Sequence, residues 1–195
     1  GTWTMSQSTT VPTGQGFSNS LKLDCTAADT SLGSSDYLLV QQVIEGQDVQ
    51  QFAFGTSDAK SVTVSFWIRS NKTGTYTLEV QQQNSSSGFY QNAKTFTISS
   101  ANTWEKKEIT FVGNTSQNII NSNAIGFYVS IWLGTGTSRT SGTFTNGTWH
   151  NTTANRISSS NVNLADSTDN ELYLTGLQLE VGEQATPFEH RSFGE

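Results

Sequence analysis

The stretch Ser61-Val-Thr-Val-Ser-Phe-Trp-Ile-Arg69 puts Val62, Val64, Phe66 and Ile68 on alternate positions. That is the period of an extended strand with one buried face. Gly126–Leu133 repeats the pattern with Phe127, Val129, Ile131 and Leu133. In Glu171–Glu180, Leu172 and Leu174 share one parity and Leu177 and Leu179 the other, with Gly176 at the change. A β-bulge at Thr175-Gly176 would return all four leucines to one face. Shorter alternating runs fill Ser20–Thr26 (Leu21, Leu23, Cys25), Thr75–Gln81 (Tyr76, Leu78, Val80), Thr95–Ile98 and Glu108–Val112. The polar link Asn71-Lys72-Thr73-Gly74 predicts a hairpin between strands 61–69 and 75–81. Tyr37–Ile44 is apolar on both parities and reads as a strand buried on both sides. With almost no helical periodicity, the expected fold is all-β: a two-sheet antiparallel β-sandwich.

Composition agrees with a folded chain and narrows its chemistry. Of 195 residues, 83 are Ser, Thr, Asn or Gln, and only 13% are charged. Twenty-one aromatics and a net charge of −6 separate this chain from the highly charged, aromatic-poor disordered class. Ten Lys and Arg against sixteen Asp and Glu, with no basic run, argue against binding nucleic acid through phosphates. No stretch approaches the about 20 apolar residues of a membrane-spanning helix, so membrane insertion is not expected. The lone Cys25 alternates with Leu21 and Leu23 and reads as a core thiol. Five N-x-S/T sequons follow from the composition and say nothing of secretion. By length this is one domain: a sandwich over 1–182 and a tail over 183–195. A first residue of Gly rather than Met suggests a piece of a longer polypeptide. The span from Gly134 to Asp169 has few apolar residues and reads as a functional or interaction loop.

Three segments resemble a domain near the C-terminal end of bacteriophage tail fibres and tailspikes. They are FAFGTSDAKSVTVSFWIRSNKTGTY (Phe52–Tyr76), ANTWEKKEITFVGNT (Ala101–Thr115) and LYLTGLQLEVGEQATPFEHRSFGE (Leu172–Glu195), with a weaker SLKLD opening at Ser20–Asp24. The TGLQLEVG…ATPFEHR run is the most specific, and 134–169 matches only loosely. Members of this family resemble carbohydrate-binding-module jelly rolls. The resemblance therefore implies a jelly-roll sandwich with a sugar-recognition or virion-attachment role, often in a homotrimer. Such sandwiches often hold a structural calcium. That makes Asp166, Asp169 and Glu171 of the DSTDNE run candidate Ca2+ ligands, with an ordinary solvated turn as the alternative.

Strand parity marks the residues that face away from the core. They are Trp67 and Arg69, Glu79 and Gln81, Tyr128 and Trp132, and Gln178 beyond the bulge. Pyranose C–H groups pack on aromatic faces, while amides and charges hold the hydroxyls. Loop aromatics form a second candidate set: Trp149 beside His150 and Phe144, and Tyr90 beside Phe89. Neither His150 nor His190 sits in a nucleophile–His pattern. Three function classes follow. The first is a non-enzymatic virion module binding host-surface carbohydrate. The second is a structural virion module for oligomerisation or attachment to tail or capsid. The third is a polysaccharide-degrading enzyme, with Glu79 as the mid-strand acid to inspect.

Overall fold

A computed structural model describes residues 1–84 and 88–190. Among these, nine strands form two antiparallel sheets. The first sheet runs, in spatial order, β1 (Thr2–Ser8), β2 (Ser20–Ala27), β9 (Glu171–Val181), β4 (Val62–Ser70) and β7 (Glu105–Phe111). The second runs β3 (Tyr37–Glu45), β8 (Ile125–Thr135), β5 (Gly74–Gln83) and β6 (Phe89–Ile98). The expected two-sheet sandwich is the fold.

The alternating residues supply the core. Val62, Val64, Phe66 and Ile68 of the first sheet meet Tyr76, Leu78, Val80, Phe127, Val129, Ile131 and Leu133 of the second in one cluster. Phe66 packs edge-on against Phe96 with ring centroids 5.4 Å apart. Each such side chain, fully buried, contributes about 1.5–3 kcal/mol. Concentrating the scarce apolar residues on one face of each strand therefore stabilises a chain that is mostly polar. Tyr76 enters this core because its hydroxyl donates to the Lys72 carbonyl at 2.8 Å. Burial pushes its phenol pKa up to about 12.

The bulge in β9 is present where the leucine parity changes. Ser65 of β4 faces Gln178, but Trp67 faces Thr175, so the two strands fall out of step between these pairs. Gly176 sits at the shift with φ +61°, and an added Cβ would lie 2.5 Å from Phe17. Leu172 and Leu174 are buried in the core, and Leu177 and Leu179 pack against it.

Two sequence expectations need correction. Strands β4 and β5 are not a hairpin: they lie in different sheets, and Asn71–Thr73 crosses from one to the other. The hairpin partner of β5 is β6, paired from Gly74↔Ile98 to Gln83↔Phe89. A short polar link fixes only that the chain reverses, and here the reversal spans the sandwich edge. Nor is Tyr37–Ile44 buried on both sides. It is the edge strand β3, paired only with β8, and leaves Tyr37 57% and Val43 40% exposed. Its second apolar row faces an outer surface instead of a second buried layer.

The polar span 134–169 packs down as three short 3₁₀ turns. His150 exchanges backbone hydrogen bonds with Gln91 of the edge strand β6, and Val162 N–H donates to the Thr75 carbonyl. Leu164, Ala165 and Ile157 are buried. This span brings the only two charged side chains between Gly134 and Ala165, Arg139 and Arg156, onto the outer face of the second sheet. The tail as far as His190 folds back over the first sheet. Gln178 donates to Thr186 at 3.3 Å and accepts from the Glu189 amide at 3.0 Å, while His190 lies 4.9 Å from the Phe17 ring. Arg191 and the rest of the 183–195 tail lie outside the described residues.

Candidate functional site

The outer face of the second sheet is built around a buried ion pair. Successive outward positions of β5 carry Glu79 and Gln81; on β8 they carry Tyr128, Ser130 and Trp132. Glu79 is 0% exposed. Arg156 reaches it from the 134–169 span in a two-pronged contact, Nε to Oε1 at 2.8 Å and Nη2 to Oε2 at 2.7 Å. The Trp132 indole N–H donates to the same Oε2 at 3.0 Å, and the guanidinium lies over the indole ring at 5.2 Å. Arg156 Nη2 also donates to Gln81 at 3.3 Å. Its pKa is raised: burial opposes the charge, but the Glu79 hydrogen bond together with the charge of Glu79 and of Tyr37 outweighs it.

Above this floor lies a groove of about 240 Å³ lined by Tyr37, Leu39, Gln41, Gln81, Phe89, Tyr128, Trp132, Arg139 and Arg156. Tyr37 and Phe89 stand exposed at its two sides, and Phe89 lies 6.2 Å from the Tyr128 ring. Gln41 is fixed by donation to Ser130 at 2.9 Å. Arg139 lies over Tyr37 at 4.4 Å. None of these lining residues is Asp or Glu. The groove thus offers aromatic faces, fixed amides and guanidinium donors, and no carboxylate pair for acid–base hydrolysis.

The sequence-derived candidates divide between the two outer faces of the sandwich. Glu79, Gln81, Tyr128 and Trp132 are together at this groove. Trp132 is only 1% exposed, however, and with Glu79 supports the floor instead of offering an open ring or a free acid. Trp67 and Arg69 belong to β4 of the other sheet and cannot share a cleft with them. Trp67 lines a larger hollow of about 490 Å³ with Phe17 and Phe188. The Phe17–Phe188 contact at 5.1 Å makes that hollow the seam where an N-terminal loop and the tail meet. Arg69 is taken up by Glu171 at 3.5 Å, the Asn102 carbonyl at 3.0 Å and the Tyr173 ring at 4.8 Å.

Phe89 and Tyr90 are not in a loop: both belong to β6, whose alternation points only one of them at the groove. The one lining the groove is Phe89. Trp149 packs against the core, edge-on to Phe54 at 5.5 Å, and donates to the Val112 carbonyl at 2.7 Å.

Of the three acids considered for calcium, two are engaged separately. Asp166 pairs with Lys72 and accepts from Asn170 at 2.7 Å. Glu171 pairs with Lys22 at 3.1 Å and Arg69, and Asp169 is exposed. Among the described residues no group of three or more His, Cys, Asp or Glu is gathered as a metal site.

Sequence reasoning missed Tyr37, Gln41, Arg139 and Arg156. A signal existed for the arginines: they are the only charges in the 134–165 stretch of an acidic chain.

No protein-family model matches the chain, and no curated protein matches it. Among solved structures it is similar to the tandem N-terminal CBM22 domains of Paenibacillus barcinonensis Xyn10C, with TM-score 0.50 and 12% identity over 94% of this chain and 44% of that one. It is also similar to the enzymatically active domain of bacteriophage CBA120 tailspike protein 4, with TM-score 0.46 and 10% identity over 92% of this chain and 19% of that one. A third neighbour is the family 11 carbohydrate-binding module of Clostridium thermocellum Lic26A-Cel5E, with TM-score 0.44 and 10% identity over 93% and 82%. The chain thus spans less than half the length of the first two. The two-sheet sandwich matches the jelly roll of carbohydrate-binding modules.

Proposed function

We propose that this chain is a non-catalytic carbohydrate-binding module that grips a polysaccharide in the groove over β8 and β5. The observation that carries the reading is the groove itself. Exposed Tyr37 and Phe89, with Tyr128, flank fixed amides on a floor locked by the Glu79–Arg156–Trp132 contacts. Such a rigid surface binds sugar rings without the entropy cost of ordering it. The shared jelly roll is consistent with this role but does not carry it. The tail-fibre resemblance of the Leu172–Glu195 run supports placing the module on a phage virion, facing a host-surface polysaccharide and assembled as a homotrimer. A glycan array probed with the chain and with Tyr128→Ala tests the reading. Binding to a defined glycan class, lost in Tyr128→Ala with unchanged melting temperature, is the expected result. No binding to any glycan, with the groove covered by a second subunit in solution, would support a purely structural virion module instead.

A further inference from the structure

We propose that the groove takes an acidic glycan, one whose sugars carry a carboxylate, and that Arg139 binds that carboxylate. The inference rests on the glycan reading of the groove and narrows it to a class of sugar.

The two groove arginines are not equivalent. The charge of Arg156 is met by Glu79 through Nε and Nη2. Arg139 makes no ion pair among the described residues. Its Nη1 donates to the Ser35 carbonyl at 3.0 Å, and its Nε is buried without an acceptor. The Arg139 guanidinium therefore keeps an unmet donor and an unpaired charge at the groove, and a carboxylate is the group whose charge-assisted hydrogen bonds answer both. The aromatic faces of Tyr37 at 4.4 Å and Trp132 at 5.8 Å fix the plane of the guanidinium but do not neutralise it. Among the described residues no acid lines the groove and none pairs with Arg139, in a chain whose net charge is −6. A neutral sugar would leave the Arg139 charge unmet. A uronate or sialate ring can stack on Tyr37 or Tyr128 and present its carboxylate to the Arg139 guanidinium.

The test is direct binding, by affinity electrophoresis and calorimetry. The probes are polygalacturonate, alginate, hyaluronan and polysialic acid, the same polymers after chemical reduction of their carboxyls, and neutral xylan and β-glucan. At least one acidic polymer is expected to bind, with affinity falling about tenfold or more on carboxyl reduction and falling as salt rises. Arg139→Gln is expected to bring the ratio of affinities for the acidic polymer and its reduced form close to one, with an unfolding transition that shows the chain still folded. That second measurement separates loss of the charge from loss of the fold. Equal binding to acidic and reduced or neutral polymers, unchanged in Arg139→Gln, would overturn the acidic preference and leave the glycan reading standing. No binding to any polymer, charged or neutral, would overturn both.

Discussion

The Trp132 indole nitrogen donates to a Glu79 carboxylate oxygen at 3.0 Å, and both side chains are shut away from solvent on the outer face of their sheet. Outward parity on a strand usually means contact with water; here it means a second, polar layer sealed by Arg156. Glu79 therefore acts as the counter-ion that holds Arg156 across the groove floor.

Replacing Glu79 with Gln should destabilise the chain by roughly 1–3 kcal/mol, because Arg156, partly buried, would lose its counter-ion. Urea unfolding checks this. The double variant Glu79→Gln with Arg156→Gln should recover part of the loss. Reducing-end release from a polysaccharide, abolished by Glu79→Gln in a chain of unchanged stability, would contradict this role.

Binding and stability should separate among the aromatics. Tyr128→Ala and Phe89→Ala remove side chains at the groove surface, so each should weaken glycan binding roughly tenfold, or about 1.4 kcal/mol, with little change in unfolding. Trp149→Ala should do the reverse. Loss of the Phe54 contact and the Val112 hydrogen bond costs ~2–3 kcal/mol for a partly buried ring, and glycan affinity should hold. Isothermal titration beside chemical denaturation reads both.

Gly176→Ala should destabilise by roughly 1–2 kcal/mol. The position has φ +61°, where an L side chain is strained, and its Cβ would meet Phe17 at 2.5 Å. A lowered melting temperature, partly restored by Phe17→Ala, is the expected outcome.

Acidification should lower the stability of the chain in two steps. Burial, only partly offset by the charge of Glu79, holds the His150 imidazole below its ordinary 6.5. The unfolded chain then takes up a proton more readily than the folded one, so stability is full above about pH 6.5 and falls as pH drops through the folded value. For Glu171, burial pushes the carboxyl up, but hydrogen bonds from Lys22 and Tyr173 and the charges of Lys22 and Arg69 outweigh it and hold it below 4.5. Its contribution is present above about pH 4.5 and is lost below. Melting temperatures from pH 8 to 3 should show both declines, the first removed by His150→Gln and the second reduced by Glu171→Gln.

Much of the fold was legible because burial imposes a period of two. Val62 to Ile68, Phe127 to Leu133 and the leucine switch at Gly176 each located a strand and its inner face. Parity does not say which sheet a strand joins, so Trp67 and Trp132 read alike although they lie on opposite sides of the sandwich. The link Asn71–Thr73 looked like a hairpin turn for the same reason. The groove was only half legible. Its floor residues Glu79, Gln81, Tyr128 and Trp132 lie on regular strands, whereas Arg139 and Arg156 come from an irregular span whose path depends on long-range contacts such as Gln91 with His150. Tyr37 was hidden because apolar residues on both parities of β3 suggested burial, while an edge position leaves one row exposed.

Amide chemical-shift mapping during glycan titration tests the location of binding without mutation. The largest shifts are expected at Tyr37, Gln41, Gln81, Phe89, Tyr128 and Arg139, around the groove over β8 and β5. Shifts centred on Phe17, Trp67 and Phe188, at the seam on the other sheet, would contradict it.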